Sequence, residues 1–308
     1  MSDHLNARQE RIQALGYDPS AQSRSFVNAC NLCGEDNWVT LVHRDRYGYA
    51  SPATACRTCG LTVLNPVMDR EGYGAFYERV YRPLVSAYHG RTIDAKSVQD
   101  DQVRYSEELQ RLVAPYLAQR TGQRFLDVGG SSGVVALHFA REFGLKPIVL
   151  DPAPDEIAES QALGLETITA FIEDWEPEGL YEVVGMFQTI DHLLDVKATL
   201  DKLRKAIHPE GVFIVDIVDF RAAVLKNGSV EGAVKVDHPY SLTEEVTEAY
   251  LARSGFRILR RAYSEDKHLV AYVCAPCDPD PDALPDAGWV RRWFEELRYV
   301  QNAKELKG

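Results

Sequence analysis

The chain reads as an α/β protein, a mostly parallel sheet wrapped by helices with a small metal-stapled module on its N-terminal side. Three observations predict this. Apolar runs alternate with helix-period segments from residue 124 to residue 218, as parallel strands with helical crossovers require. Two later apolar runs, 255–261 and 268–274, lie close enough in sequence to pair antiparallel. Ahead of all of them sit two C-x-x-C pairs, Cys30/Cys33 and Cys56/Cys59.

In chain order, residues 1–24 predict a helical arm with a break at Asp18–Pro19. Residues 25–66 predict a zinc ribbon with short strands at 38–43 and 61–64. A two-residue gap lets both thiolates of a turn face one ion, and Gly34 and Gly60 permit the turn's backbone angles. Four protein ligands leave no position for water, so a Zn2+ here would be structural; four incidental thiols are the alternative. Residues 67–120 predict a helical linker and lid. Tyr73, Phe76, Tyr77, Tyr81 and Tyr88 fall at helical spacing, and either a core stripe or an aromatic lid over a ligand would use them so. A helix over 102–119 follows.

Residues 121–277 predict the sheet domain. Its strands fall at 124–128, 148–150, 166–169, 183–187 and 212–218, and its helices at 133–143, 155–163, 195–207 and 243–254. Residues 278–308 predict an Asp- and Pro-rich linker and an amphipathic helix over 289–304. The third pair, Cys274/Cys277, ends an apolar run; burial or a redox or metal role are both open.

Composition narrows the function. Apolar residues make up 45% and charged residues 26%, which excludes disorder. With no long apolar run, no membrane span is expected, and the polar first ten residues lead us to expect a cytoplasmic protein. Lys and Arg number 34 against 46 Asp and Glu, and a net charge of −12 argues against nucleic acid as a partner. The oligomeric state is not legible.

The candidate ligand site is the segment from Phe125 to Gly133, between a strand and a helix. Small residues there let backbone approach a ligand, and the helix start offers free N–H groups. Asp151, followed by Pro152, ends the next strand, where a carboxylate can accept ribose hydroxyls. The G-x-G-x-x-G fingerprint of dehydrogenases is not present.

On Asp127, Gly129, Gly130, Ser131, Gly133 and Asp151 the sequence resembles class I S-adenosylmethionine (SAM)-dependent methyltransferases. The resemblance implies their Rossmann-like sheet, mostly parallel with an antiparallel last strand, and SAM as cofactor. It places Ile172 and Glu173 at the adenine and Gln188 and His192 at the methionine moiety. Ser131 stands in place of the usual middle glycine, and Phe171 where the family often has Asp. The run from Cys56 to Pro66, before an aromatic-rich helix, is similar to the subgroup with an N-terminal zinc ribbon, which includes sugar C-methyltransferases.

A base beyond the fifth strand would face the methyl group. The run from Val236 to Tyr240 resembles the catalytic segment of the sugar C-methyltransferases: Asp237 and His238 match its acid and histidine, and Lys235 stands where it has a Tyr. His238 as general base, or a polar turn, are the readings. His192 with Asp191 is a second candidate. Asp216 and Asp219 would bind acceptor hydroxyls or lie solvated, and Tyr77, Tyr81 and Tyr88 would shape the acceptor pocket. The expectation is a SAM-dependent methyltransferase acting on a small-molecule acceptor, a nucleotide-linked sugar or a glycan or natural-product intermediate. The alternatives are an RNA methyltransferase and an inactive partner protein with the same fold.

Overall fold

The computed structural model describes residues 2–94 and 97–305; the outermost residues of the two expected terminal arms, 1 and 306–308, lie outside the described residues. The chain opens with α1 (Ser2–Gln13). Asp18 makes the expected break by accepting the Ser20 N–H at 2.8 Å. Strands β1 (Arg24–Ser25), β2 (Trp38–Val42), β3 (Ala53–Cys56), β4 (Thr62–Leu64) and β5 (Val67–Met68) follow. Helices α2 (Arg70–Arg79), α3 (Tyr81–His89) and α4 (Gln99–Leu117) lead to the sheet.

The alternating part runs β6 (Arg124–Val128), α5 (Val134–Phe143), β7 (Lys146–Asp151), α6 (Pro154–Ala162), β8 (Glu166–Thr169), β9 (Tyr181–Met186), α7 (Val196–Ala206) and β10 (Ile207–Val218). Then come α8 (Phe220–Asn227), α9 (Val230–Ala233), β11 (Tyr240–Ser241), α10 (Glu244–Arg253), β12 (Phe256–Tyr263), β13 (Leu269–Pro276) and α11 (Ala287–Glu305).

Seven strands form one sheet in the order β12–β13–β10–β9–β6–β7–β8. The five from β10 to β8 are parallel, and β13 runs antiparallel between β10 and β12. The winding goes outward from β6 to β8 and resumes with β9 on the other side of β6. That reversal opens a crevice at the carboxyl ends of β6 and β9, where sheets of this kind bind ligands. Both faces are covered: Leu126 and Val128 enter one apolar cluster and Phe125 the other, so β6 is mostly apolar, with Asp127 its buried exception.

Two local differences from the sequence reading have clear causes. The expected single tyrosine face is two helices, α2 and α3, because Pro83 lacks an N–H and its ring excludes a helical carbonyl at Arg79. Helices α8 and α9 were not foreseen; they are too short for periodicity to mark, and each depends on a cap, Asp219 to the Ala222 N–H and Ser229 to the Gly232 N–H.

The ribbon is not closed at residue 66. Its sheet has the order β11–β4–β3–β2, and β11 comes from the far part of the chain, pairing Tyr240 with Val63 and Ser241 with Thr62. From the other end α11 lays the stacked rings of Trp289 and Trp293 on the second cysteine turn. A Cβ on Gly60 would come within 2.9 Å of the Trp289 ring. One apolar cluster therefore includes Cys30, Cys56, Cys59, Trp293 and the strands of the large sheet.

Candidate active site

The bend after β6 is shaped by close packing. Gly129 has φ +68°, and a Cβ there would strike the Thr189 methyl group at 2.5 Å. Gly133, at φ +76°, starts α5 with the Leu165 side chain equally near, and the Gly133 N–H donates to the Gly130 carbonyl at 2.9 Å. Ser131 is left-handed as well, at φ +50°, a conformation that costs a non-glycine residue energy. Its surroundings impose it. The Ser131 N–H donates to Asp151 Oδ2 at 3.0 Å, its hydroxyl donates to Glu156 Oε2 at 2.6 Å, and the Ser160 hydroxyl donates to its carbonyl at 2.8 Å. Ser131 thus holds the backbone shape that a glycine would take freely.

Asp151 also accepts the Ala153 N–H at 2.9 Å, spanning half-buried Pro152, and burial lifts its pKa to about 6. Asp127 lies behind the bend with both carboxylate oxygens buried and, among the described residues, without a donor. Burial, then the charge of Asp151, pushes it up to about 8. An unpaired buried carboxylate is costly until a donor or cation reaches it, so this one suits a ligand that carries an ammonium group. Ile172 is buried, and Lys202 Nζ donates to the carbonyls of Ile172, Glu173 and Trp175 at 3.2, 2.8 and 2.7 Å. The Glu173 carboxylate accepts the Leu194 N–H at 2.8 Å, joining this loop to the one after β9.

That second loop opens onto a cleft of about 180 Å³. Gln188, His192, Asp191, Asp237 and His238 all line it, together with Tyr81 and Tyr88 from α3. The two histidine candidates, separated in sequence, are one cluster: their rings lie 4.4 Å apart. His238 Nδ1 is 2.6 Å from Asp191 Oδ2, and its Nε2 is 3.1 Å from Lys235 Nζ and 3.4 Å from Asp237 Oδ2. Burial opposes the ionisation of Asp191 and Asp237, but His238 beside them prevails and holds both below the usual carboxylate range. Burial, then the neighbouring His238, lowers His192 to about 4, and its Nδ1 pairs with the Tyr77 hydroxyl at 2.8 Å. Asp191, His192 and His238 also present ligand atoms within 4.8 Å of one another. Their hydrogen bonds and the adjacent Lys235 ammonium make the cluster a place for protons rather than for a second cation.

Several residues hold this site in ways that the sequence does not signal. Gln188 is left-handed at φ +50°, and Asp216 Oδ1 holds its N–H at 2.6 Å while Oδ2 accepts the Tyr105 hydroxyl. Asp216 is 1% exposed, so the expectation that it meets solvent or an acceptor gives way to an internal strut. Asp219, likewise, caps α8. Asp45, just beyond the ribbon's first hairpin strand, accepts the N–H groups of Tyr47 and Tyr49 at 3.0 and 2.9 Å and that of Val236 at 2.9 Å. It thereby fixes the segment that carries Lys235, Asp237 and His238. Arg82 of α3 donates to Glu156, tying the tyrosine helices to the bend through Ser131.

In the ribbon, Cys30 Sγ lies 3.5 Å from Cys59 Sγ and Cys33 Sγ 3.5 Å from Cys56 Sγ, with all four sulfurs within 4.8 Å. A tetrahedral zinc at about 2.3 Å from each sulfur separates them by about 3.8 Å, so the donor set fits that ion. Cys274 is instead packed in the apolar core, where burial raises its thiol.

Residues 99–261 match a family model described as a methyltransferase domain. The C-methyltransferase NovU of Streptomyces niveus is 24% identical over 222 residues, 67% of this chain and 50% of that protein. A ubiquinone biosynthesis O-methyltransferase of Rhodopseudomonas palustris is 27% identical over 100 residues, 30% of this chain and 39% of that one. The chain thus spans half or less of the length of these curated relatives. Among solved structures, DesVI of Streptomyces venezuelae superposes with a TM-score of 0.46 at 15% identity, covering 60% of this chain and 99% of that chain. The magnesium protoporphyrin IX methyltransferase of Synechocystis PCC 6803 with bound SAH gives 0.47 at 14%, covering 59% and 86%.

Proposed function

The chain belongs to the methyltransferase-domain family, and from that premise we propose that it is a class I SAM-dependent methyltransferase whose acceptor is a small polar molecule, a nucleotide-linked sugar or a glycan or natural-product intermediate. The observation that carries this reading is the 2.6 Å contact between Asp191 and His238 in a cleft shared with Gln188 and His192. The likeness of residues 56–66 and 236–240 to the sugar C-methyltransferases supports it, as does the polar lining of tyrosines, histidines and carboxylates.

Bound SAM supplies an electrophilic methyl group on a sulfonium. The chain's own residues do the rest. Asp127 would hold the ligand's amino group with its unpaired carboxylate, and the bend at 129–133, kept in shape by Asp151 and Glu156, would seat the adenosyl part. Asp191 accepts the His238 Nδ1 proton and so fixes the tautomer with its lone pair on Nε2. An acceptor O–H or acidic C–H displaces the Lys235 ammonium from Nε2 and leaves its proton there. The imidazolium then lies between Asp191 and Asp237, whose charges stabilise it. His192 stays neutral and, with Tyr77, orients rather than deprotonates. The four ribbon cysteines would hold a structural zinc and take no part in the chemistry.

The test is SAH release from labelled SAM with a panel of nucleoside-diphosphate sugars, free glycosides, phenols and RNA. Turnover with a sugar-containing acceptor is expected, falling about 10²–10⁴-fold in His238→Ala with SAH affinity nearly intact. Turnover with phenols or RNA alone overturns the acceptor class. Parallel loss of turnover and SAH affinity makes His238 a structural residue.

A further inference from the structure

The cleft is electrically graded. Its most buried lining includes the carboxylates Asp191 and Asp237, 4% and 3% exposed, and Lys235 lines the same cleft. The outer end is basic. The guanidiniums of Arg8 and Arg46 both lie 4.2 Å from the centre of the Tyr88 ring, and Arg46 also donates to the Tyr88 hydroxyl. The Nε of Arg46 is buried without a hydrogen-bond partner. His89, on the same wall, is held below its ordinary pKa first by burial and then by Arg46, Arg91, Arg8 and Lys235. Arg46, Lys235 and His89 line one cleft, with Arg8 on the Tyr88 ring beside them, in a chain whose net charge is −12.

Such a gathering of like charge repels itself and raises the energy of the unliganded protein. Stacking on Tyr88 holds two of the guanidiniums at the mouth instead of letting them extend into solvent. A guanidinium with a free donor offers planar, paired hydrogen bonds to phosphate or carboxylate oxygens. The grading also suits the chemistry at the inner end, where the carboxylates would face a sulfonium and the anionic group would lie away from it.

We propose that the mouth of the cleft, lined by Arg46, Tyr88, His89 and Lys235, with Arg8 also stacked on the Tyr88 ring, is a subsite for a phosphate or carboxylate group carried by the acceptor. The proposal rests on the methyltransferase reading of this cleft and deepens it by giving the acceptor a negative charge.

The experiment is calorimetric titration of the full chain, with and without SAH, using inorganic diphosphate, UDP and galacturonate as probes. The variants are Arg46→Gln, Arg8→Gln and, as a remote control, Arg257→Gln on the exposed side of β12. Saturable binding of at least one probe is expected, weakened about tenfold or more by Arg46→Gln, less by Arg8→Gln, and unaffected by Arg257→Gln. Binding should weaken as salt is raised. Response to diphosphate and UDP makes the source a phosphorylated acceptor; response to galacturonate alone makes it an acidic sugar. Should Arg46→Gln fold poorly by circular dichroism, Arg46→Lys and Arg8→Gln give the same readout. No probe binding to the wild type, or binding that Arg46 and Arg8 substitutions leave unchanged, overturns the subsite. Failure of SAH alone to bind overturns the cofactor reading instead, and the titrations without SAH still decide the subsite.

Discussion

Asp127 combines two properties that pull apart in a ligand-free protein: it is fully buried, and neither of its oxygens has a donor. Replacing it by Asn removes the ionisation without changing the shape. We expect Asp127→Asn to keep or raise the melting temperature of the ligand-free protein while weakening SAH binding at least about tenfold, the cost of losing a charge-assisted hydrogen bond. Calorimetry and thermal melting check the two halves, and a large drop in melting temperature with SAH affinity retained would make Asp127 a strut for the fold. The bend in which it sits was legible as sequence because small residues between a strand and a helix have few other uses. The residues that enforce it were not. Glu156 lies on an ordinary helix, and Asp216 and Asp45 are isolated acids whose partners are backbone N–H groups far along the chain. No local pattern marks such a bond, since only the folded chain brings its two ends together.

At the level of elements, the tyrosine helices divide between the core and the wall of the cleft. Tyr73 and Phe76 are core, 1% and 0% exposed, and Tyr77 reaches His192, while Tyr81 and Tyr88 line the cleft. The Tyr77–His192 bond positions the ring without touching a proton in flight. Tyr77→Phe should therefore lower turnover about tenfold, in the range of one lost neutral hydrogen bond, and leave the pH profile unshifted; a shifted profile would give Tyr77 a part in proton transfer. The ribbon's cysteine turns were likewise readable, and so was the helix over 289–304, whereas β11 and the docking of α11 on the ribbon were not, because their partners lie more than a hundred residues away. This coupling has a consequence for metal removal. Trp289 and Trp293 rest on the turn that Cys56 and Cys59 form, so chelating one zinc per chain should change tryptophan fluorescence and loosen α11 together. Release of zinc, followed by a colorimetric chelator, with no change in the tryptophan signal would mean that packing alone holds the ribbon.

For the molecule as a whole, alternation of apolar runs was enough to give the parallel sheet, because strands covered on both faces are largely apolar and most of their crossovers are helical. What alternation does not carry is charge: the sheet ends gather carboxylates whose burial sets how the protein responds to pH. Asp151 and Asp216 are lifted to about 6, Asp45 to about 7 and Asp127 to about 8. In each case burial is the chief cause. A carboxyl group raised on folding binds its proton more tightly in the native state than in the unfolded chain. Its contribution is full below the unfolded value near 4 and is lost as pH rises through the folded value. His192 works in the opposite sense, its lowered pKa costing stability as pH falls from about 6.5 toward 4, and so offsets the acids in that lower window. Above pH 6.5 it is silent, and Asp45 and Asp127 dominate. The melting temperature of the ligand-free protein should therefore fall between pH 6.5 and pH 8.5. Asp127→Asn should remove the later part of that fall, and saturating SAH should flatten it by supplying the cation that Asp127 lacks. A melting temperature that is level across this range in the wild type would mean that water or a bound ion already satisfies these carboxylates, and the unpaired state of Asp127 could then no longer mark the ligand seat.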